Sequence, residues 1–398
     1  MTDAYRDPAG PPFLDPTARR QAATAAAAVA VGVMALGALA LPTACASGSA
    51  APTDPGPDAV QQALGTLVRD DGLPAALASV QDRNGRTRTY TAGVGDVATG
   101  SQVPEDGQVR IGSNTKTFTA VVVMQLVAEG KVGLDASVDT YLPGLVRGEG
   151  IDGRNITVRQ LLQHTSGLPE YGNYLDDDEI RFRYAEPRDL LDIALQHPAD
   201  AAPGTAWGYS NTNYTLAGLI VQKVTGRPLA EEIDKRIVQP IGLHHTYFPA
   251  PGDMTIREPH PQGYHGNPTD GPLREFTEMD PSWGWAAGQL ISTTSDLNRF
   301  FSALLGGHLL PPAELAEMRT TVPVGDASSG VGYGLGLTSR TLSCGGVYWG
   351  HGGDISGFET RGGVTDDGRA ANVAVTSIPS TDAAAQHVLD AVDTALCG

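Results

Sequence analysis

Ser113-Asn114-Thr115-Lys116 sets a hydroxyl and an amine three residues apart, at the start of a run with helical spacing, TKTFTAVVVMQLVAE. On a helix, side chains at i and i+3 share a face. Lys116 can therefore take the Ser113 hydroxyl proton if burial or a neighbouring cation depresses its pKa. The helix start also offers backbone N–H groups outside the helical ladder, which suit a developing oxyanion. The chain has only four lysines, Lys116, Lys131, Lys223 and Lys235, in an arginine-biased sequence. An amine here points to chemistry that a guanidinium, which keeps its proton, does not perform. Taken alone, the same four residues also describe a serine N-cap followed by a solvated lysine.

Two further segments carry polar groups of the right kind. In PGTAWGYSN, a Pro-Gly turn leads to Tyr209-Ser210-Asn211. A tyrosine can relay a proton when cations stabilise its phenolate, and an asparagine can both donate to and accept from a substrate amide. The alternative is a loop tyrosine packed on Trp207. Late in the chain, His351-Gly352-Gly353-Asp354 follows the strand-like Val347 to Gly350. Paired glycines let another backbone approach a strand edge, and His351 is a candidate electrostatic partner; a structural histidine in a bulge is the alternative.

Ser-x-x-Lys, then Tyr-x-Asn, then His-x-Gly on a late strand is the motif order of the serine β-lactamase and penicillin-binding-protein superfamily. The chain resembles its class C β-lactamase and D-alanyl-D-alanine carboxypeptidase branch, and is most similar to secreted actinobacterial D-alanyl-D-alanine carboxypeptidases. The segments LLQHTSGL (161–168), PGTAWGYSNTNYTLAG and GQLISTTSD (288–296) add to the likeness, which runs over residues 58–398. The resemblance implies that Ser113 is acylated, and that Lys116 and Tyr209 share its proton and later activate water or an incoming amine. It implies that Asn211 holds the substrate amide, and that the N–H groups of Ser113 and Asp354 form the oxyanion hole. His351 stands where many relatives carry lysine. Gly353 and Asp354 would then border the substrate. Gly352 and Asp354 replace hydroxyl residues of the family pattern, and Asp354 would repel a substrate carboxylate unless it points away. The arginine that binds this carboxylate in relatives matches Thr338, leaving Arg340 as the nearest candidate.

The elements that must position these groups follow from periodicity. Asp58 to Arg69 has helical spacing, and Ala75 to Asp82 with Arg86 to Gly93 read as strands joined at Asn84-Gly85, a type I′ turn signal. Residues from about 120 to 285 are helix and loop, with helices over Val158 to His164, Pro187 to Gln196, Tyr214 to Thr225 and Leu229 to Ile237. Strands return at Val331 to Leu337, Val347 to Gly350, Phe358 to Thr365 and Ala371 to Ser377, with Asp367-Gly368 as a second hairpin signal, before a helix from Thr381 to Leu396. This order predicts an α/β (α+β) fold, β-lactamase/transpeptidase-like: one antiparallel sheet flanked by N- and C-terminal helices, with an α-helical insertion.

Residues 1–46 read as an export signal: Arg19-Arg20, an uncharged Gln21 to Leu41, and Ala44-Cys45-Ala46 as an A-x-A cleavage site. Retention as an anchor, twin-arginine export and lipidation at Cys45 are alternatives. Residues 47–57 read as a linker. Cleavage leaves Cys344 and Cys397, an even pair expected to form a disulfide in an oxidising compartment. The 398 residues are 41% hydrophobic and carry a net charge of −18, which disfavours nucleic-acid binding. No CxxC, HExxH, P-loop or GxSxG is present, and His244, His245, His260 and His265 have no metal-ligand spacing. No metal or cofactor is implied. The expectation is an exported, secreted or envelope-bound serine hydrolase forming an acyl-enzyme: a D-alanyl-D-alanine carboxypeptidase acting on peptidoglycan stem peptides, with β-lactams as acylating inhibitors. Its alternatives are a family esterase, a class C-like β-lactamase, or a non-catalytic penicillin-binding sensor.

Overall fold

A nine-stranded sheet organises the chain in the computed structural model, which describes residues 57–266, 272–325 and 329–398. The expected export signal, Cys45 and the linker up to residue 56 lie outside the described residues. The strands are β1 (Ala75–Gln81), β2 (Thr87–Gly93), β3 (Val322–Pro323), β4 (Val331–Tyr333), β5 (Thr338–Thr341), β6 (Val347–Gly350), β7 (Gly353–Ile355), β8 (Phe358–Thr365) and β9 (Ala370–Val375). Their order is β2-β1-β9-β8-β6-β5-β4-β3, with β7 pairing β8, and every pairing is antiparallel.

Central strands β8 and β9 are buried along their whole length, because helices cover both faces of the sheet. On one face α1 (Pro57–Arg69) and the C-terminal helix Asp382–Cys397 pack Val60, Leu64, Leu67, Val388, Val392 and Leu396 on Ala76, Ala78, Val373 and Val375. Alternate small residues on the strands let these helices come close. On the other face lies α2 (Asn114–Ala128), with Phe118 stacked on Phe300 of the helix Thr294–Leu305 at 3.7 Å between ring centroids. The α2 helix is buried on nearly all sides, so its polar side chains must be satisfied internally. Thr117 donates to the Gly336 carbonyl (2.7 Å), Thr119 to that of Ala286 (2.8 Å), and Asn114 to Thr360 (2.7 Å). The helices α3 (Val158–Gln163), α4 (Pro187–Leu195) and α5 (Asn211–Thr225) complete this side. The antiparallel sheet flanked by helices is thus the architecture that the periodicity predicts.

Four local expectations change. The β1–β2 hairpin forms, but of Asn84 and Gly85 only Gly85 has positive φ (78°), so the turn is not type I′. Instead Asp82 organises the loop: its carboxylate accepts from the N–H groups of Asn84 (2.8 Å) and Arg86 (3.0 Å), an Asx-type turn. At Asp367-Gly368, likewise, only the glycine has positive φ (87°). The strand expected through Leu337 stops at Tyr333, because the chain turns at Gly336 (φ 73°), where a Cβ would lie 2.5 Å from that of Ala120. The α5 helix starts at Asn211, before the expected Tyr214, which puts Asn211 at a helix N-terminus.

Cys344 and Cys397 are bonded, closing a loop with a sequence separation of 53 between the β5–β6 connection and the last helix. The chain-entropy model gives about 4 kcal/mol of stabilisation for such a loop. A Cys344→Ser/Cys397→Ser variant should lose stability of that order in denaturant unfolding; an unchanged midpoint would show that the bond constrains nothing.

Candidate active site

Lys116 is fully buried, one turn into α2, while Ser113, just before the helix, is partly exposed. The Lys116 Nζ lies 2.9 Å from Ser113 Oγ, 2.6 Å from Asn211 Oδ1 and 3.0 Å from the Ala287 carbonyl oxygen. Two of these partners only accept, and they come from distant stretches of chain. As an ammonium, Lys116 donates to all three. As a neutral amine, it donates its two hydrogens to Asn211 and Ala287, and its lone pair faces the Ser113 hydroxyl. One geometry therefore satisfies both protonation states, which is what an acceptor for the Ser113 proton requires.

Tyr209 joins the pair through its ring, whose centroid is 4.6 Å from Lys116 Nζ. The same ring stacks on His164 at 4.3 Å and lies 6.4 Å from Trp207 and 6.5 Å from His351, centroid to centroid. His164 ends α3 in the left-handed region (φ 61°), uncommon for a non-glycine residue. Its Nδ1 accepts from the Ser210 N–H and from Asn213 Nδ2, both at 3.1 Å. Burial, with the Lys116 charge adding to it, holds the His164 pKa well below the usual histidine range. A neutral His164 therefore braces Tyr209 and the start of α5.

Asn211 is committed on both amide atoms. Its Oδ1 accepts from Lys116, and its Nδ2 donates to Glu170 Oε1 at 3.1 Å. Oδ1 keeps a second lone pair and Nδ2 a second hydrogen, so the contact with Lys116 stands beside the substrate-amide role that the resemblance implies and does not exclude it. Glu170 also accepts from the Asn211 N–H and, at 2.6 Å, from the Gly172 N–H. Burial pushes its pKa up, and these donors oppose the shift.

His351 is buried against Tyr333. Its Nδ1 is 2.5 Å from the Gly352 carbonyl oxygen, which only accepts, so Nδ1 carries the proton and Nε2 accepts from the Tyr333 hydroxyl at 2.9 Å. Burial, then the Lys116 charge, lowers its pKa to about 3. His351 thus places no positive charge where relatives carry lysine.

The bordering residues pack against the segment before α2. Gly353 has a packing reason to be bare: a Cβ there would lie 1.9 Å from the Ile111 carbonyl oxygen. Gly112 (φ 46°) likewise meets Asp354, its added Cβ falling 2.7 Å from the Asp354 carbonyl oxygen. These contacts set the backbones of Ser113 and Asp354, the two expected oxyanion donors, side by side. The Asp354 side chain faces Arg361 at 2.6 Å, buried with it, so its charge is neutralised inside the protein. Glu359 completes this group at 3.2 Å from Arg361, with its pKa raised by burial to about 8. Arg340 is not brought to Lys116; it lines a pocket with Thr338, Tyr348, His351, Gly352, Arg361 and Gly362.

Glu170, His164, Tyr333 and Arg361 were not singled out as site residues by sequence reasoning. His164 left a signal, since it lies inside the LLQHTSGL segment that adds to the likeness, and Glu170 follows as the acid that ends the Gly167-Leu168-Pro169 step. Among the described residues, no group of three His, Cys, Asp or Glu side chains could hold a metal ion.

The family model described as Beta-lactamase matches residues 60–395. Esterase EstB of Burkholderia gladioli is 31% identical over 307 residues, 69% of this chain and 77% of its own length. Penicillin-binding protein 4 of Amycolatopsis lactamdurans is 29% identical over 280 residues, 66% of this chain and 69% of its own. The solved D-stereospecific amidohydrolase from Streptomyces sp. is 40% identical with a TM-score of 0.76, covering 84% of this chain and 98% of that one.

With a folded pKa of about 3, His351 should not titrate in NMR spectra between about pH 5 and 8, its ring signals being assigned by their loss in His351→Gln. Its folded pKa is below the unfolded value, so the unfolded chain binds more protons between the two. Its contribution to stability is complete above about pH 6.5 and is lost as pH falls toward 3. A His351 midpoint near the free-histidine value would contradict the neutral assignment.

Proposed function

The chain belongs to the Beta-lactamase family of serine hydrolases, and from that premise we propose that it is an acyl-enzyme-forming amidohydrolase acting on amide or peptide bonds of D-configured acyl donors. The observation that carries this reading is the buried Lys116 amine, 2.9 Å from Ser113 Oγ and anchored by two acceptor oxygens. Neutral Lys116 takes the Ser113 proton as Oγ bonds to the substrate carbonyl carbon. The N–H groups of Ser113 and Asp354 receive the oxyanion. The C–N bond then breaks, and a proton relayed from Lys116 through the Tyr209 hydroxyl leaves with the amine. Water gives its proton back along the same route as it attacks the ester, and Ser113 recovers its hydrogen.

The D-amide preference is supported by the likeness to the Streptomyces amidohydrolase, which spans nearly all of that protein. The resemblance read from the motifs favours a narrower substrate, a D-alanyl-D-alanine peptide, and one structural observation favours it too. Asp354 is buried and paired with Arg361, which removes the repulsion that its charge would set against a substrate carboxylate at this strand edge. The esterase and β-lactamase readings use the same acylation step. Export is part of the proposal: the apolar segment before Ala44-Cys45-Ala46 and the Cys344–Cys397 bond both suit an oxidising compartment.

D-phenylalanine amide, its L-enantiomer, diacyl-Lys-D-Ala-D-Ala, a p-nitrophenyl ester and nitrocefin form the discriminating panel. We expect ammonia release from the D-amide at least about 100-fold faster than from the L-amide, as discrimination by a built polar site allows, with none from Ser113→Ala. Faster D-Ala release from the peptide would move the assignment to a carboxypeptidase. Turnover of nitrocefin or the ester alone would move it to a β-lactamase or an esterase, and no turnover at all to a binding protein.

A further inference from the structure

We propose that Glu170 is a positioning residue for the proton transfer: through Asn211 it decides which amide atom faces Lys116, and so where the Lys116 lone pair points. This rests on the acyl-enzyme reading above. An asparagine side chain is nearly symmetric in shape, and its two ends differ only in whether they donate or accept. Nothing in Asn211 itself prevents its NH2 group from facing Lys116. Glu170 prevents it. Its three partners here, the N–H groups of Asn211 and Gly172 and the Nδ2 of Asn211, are all donors. Nδ2 is drawn to the carboxylate, which leaves Oδ1 for Lys116 at 2.6 Å.

A flipped Asn211 would undo the acceptor geometry. Facing a neutral Lys116, its NH2 group would donate to the lone pair and displace Ser113 from it. Facing an ammonium, it would set donor against donor. The carrier of Glu170 is anchored to the same helix start: the Pro169 carbonyl accepts from Thr212 Oγ1 at 2.6 Å and from Ser210 Oγ at 3.1 Å. The carboxylate also lies at the N-terminus of α5, a helix of 15 residues whose dipole favours an anion there. When Lys116 takes the Ser113 proton, this buried negative charge compensates the new positive one across Asn211.

The test is a double-mutant cycle on the full chain, read by the acylation rate constant for a fluorescent penicillin and by the dissociation constant of the complex that precedes acylation. Glu170→Gln places an NH2 group against donors. It should lower acylation about 100-fold, the scale of a misplaced catalytic group, and change the prior binding less than about threefold. Asn211→Asp sets two carboxylates face to face and should also lose activity. Glu170→Gln/Asn211→Asp exchanges the two roles, restoring an acceptor toward Lys116 and a donor–acceptor pair with residue 170. It should recover at least about tenfold over either single variant, a coupling within the range for contacting residues. Acylation by Glu170→Gln within about threefold of wild type, a loss carried by binding alone, or no recovery in the double variant would overturn the proposal. Thermal midpoints report folding. If Glu170→Gln does not fold, the double variant is compared with Asn211→Asp, and absence of a gain overturns the proposal. Labelling that survives Ser113→Ala would instead overturn the acyl-enzyme reading itself.

Discussion

A lysine amine with no access to water must be solvated by the protein, whichever protonation state it holds. The structure around Lys116 meets that requirement with oxygen atoms from separate segments: Ser113 on its own turn, Asn211 at the start of α5, and the Ala287 carbonyl. Assembling them requires α2 in the middle of the molecule, packed between the sheet and the helical region. The dense burial of α2 and its side-chain bonds to Gly336, Ala286 and Thr360 fix the helix on which both reacting groups ride. A shift of α2 would cost the proton acceptor its geometry before it cost the fold its core.

The groups around this amine are arranged so that neither neighbouring histidine sets a second positive charge beside it. His351 and His164 are buried and held neutral, each with a ring nitrogen already accepting a hydrogen bond from the protein. On the strand edge, Arg361 sits between Asp354 and Glu359, so an aspartate next to the expected oxyanion hole adds little net field. Burial of that group pushes Glu359 up to about 8, which lessens the negative charge Arg361 must balance near neutral pH. Breaking such a group by removing one partner is costly because the other charge stays buried. The side-chain layer at this edge is therefore closed on itself.

Residues whose chemistry is carried by local spacing were legible in the sequence. Ser113 and Lys116 are one helical turn apart, and Tyr209 and Asn211 flank a helix start, so short motifs expose them. The antiparallel sheet and its flanking helices were legible for the same reason, since alternation and helical period are local patterns. Partners chosen by the tertiary fold were not. Glu170 is 41 residues from Asn211, and Tyr333 is 18 from His351, and neither spacing has meaning outside the folded chain. The hairpin after β1 illustrates a subtler limit: Asn-Gly marked the turn correctly, but the Asp82 carboxylate, by accepting two backbone N–H groups, selected a different loop. Gly353 illustrates the converse. A glycine that suggests room for a substrate has its Cβ position taken by the Ile111 carbonyl oxygen, just before α2.

The account stands on Lys116 acting by its lone pair and not merely by its charge, and Lys116→Arg separates the two, since a guanidinium keeps the charge and does not give up its proton. Mass spectrometry of intact protein mixed with a β-lactam follows the Ser113 adduct over time in wild type and variant. The account predicts that adduct formation in Lys116→Arg slows by about 1,000-fold or more, the scale for losing a general base, while the thermal midpoint shows a folded protein. Acylation of the folded variant within about tenfold of wild type would contradict it.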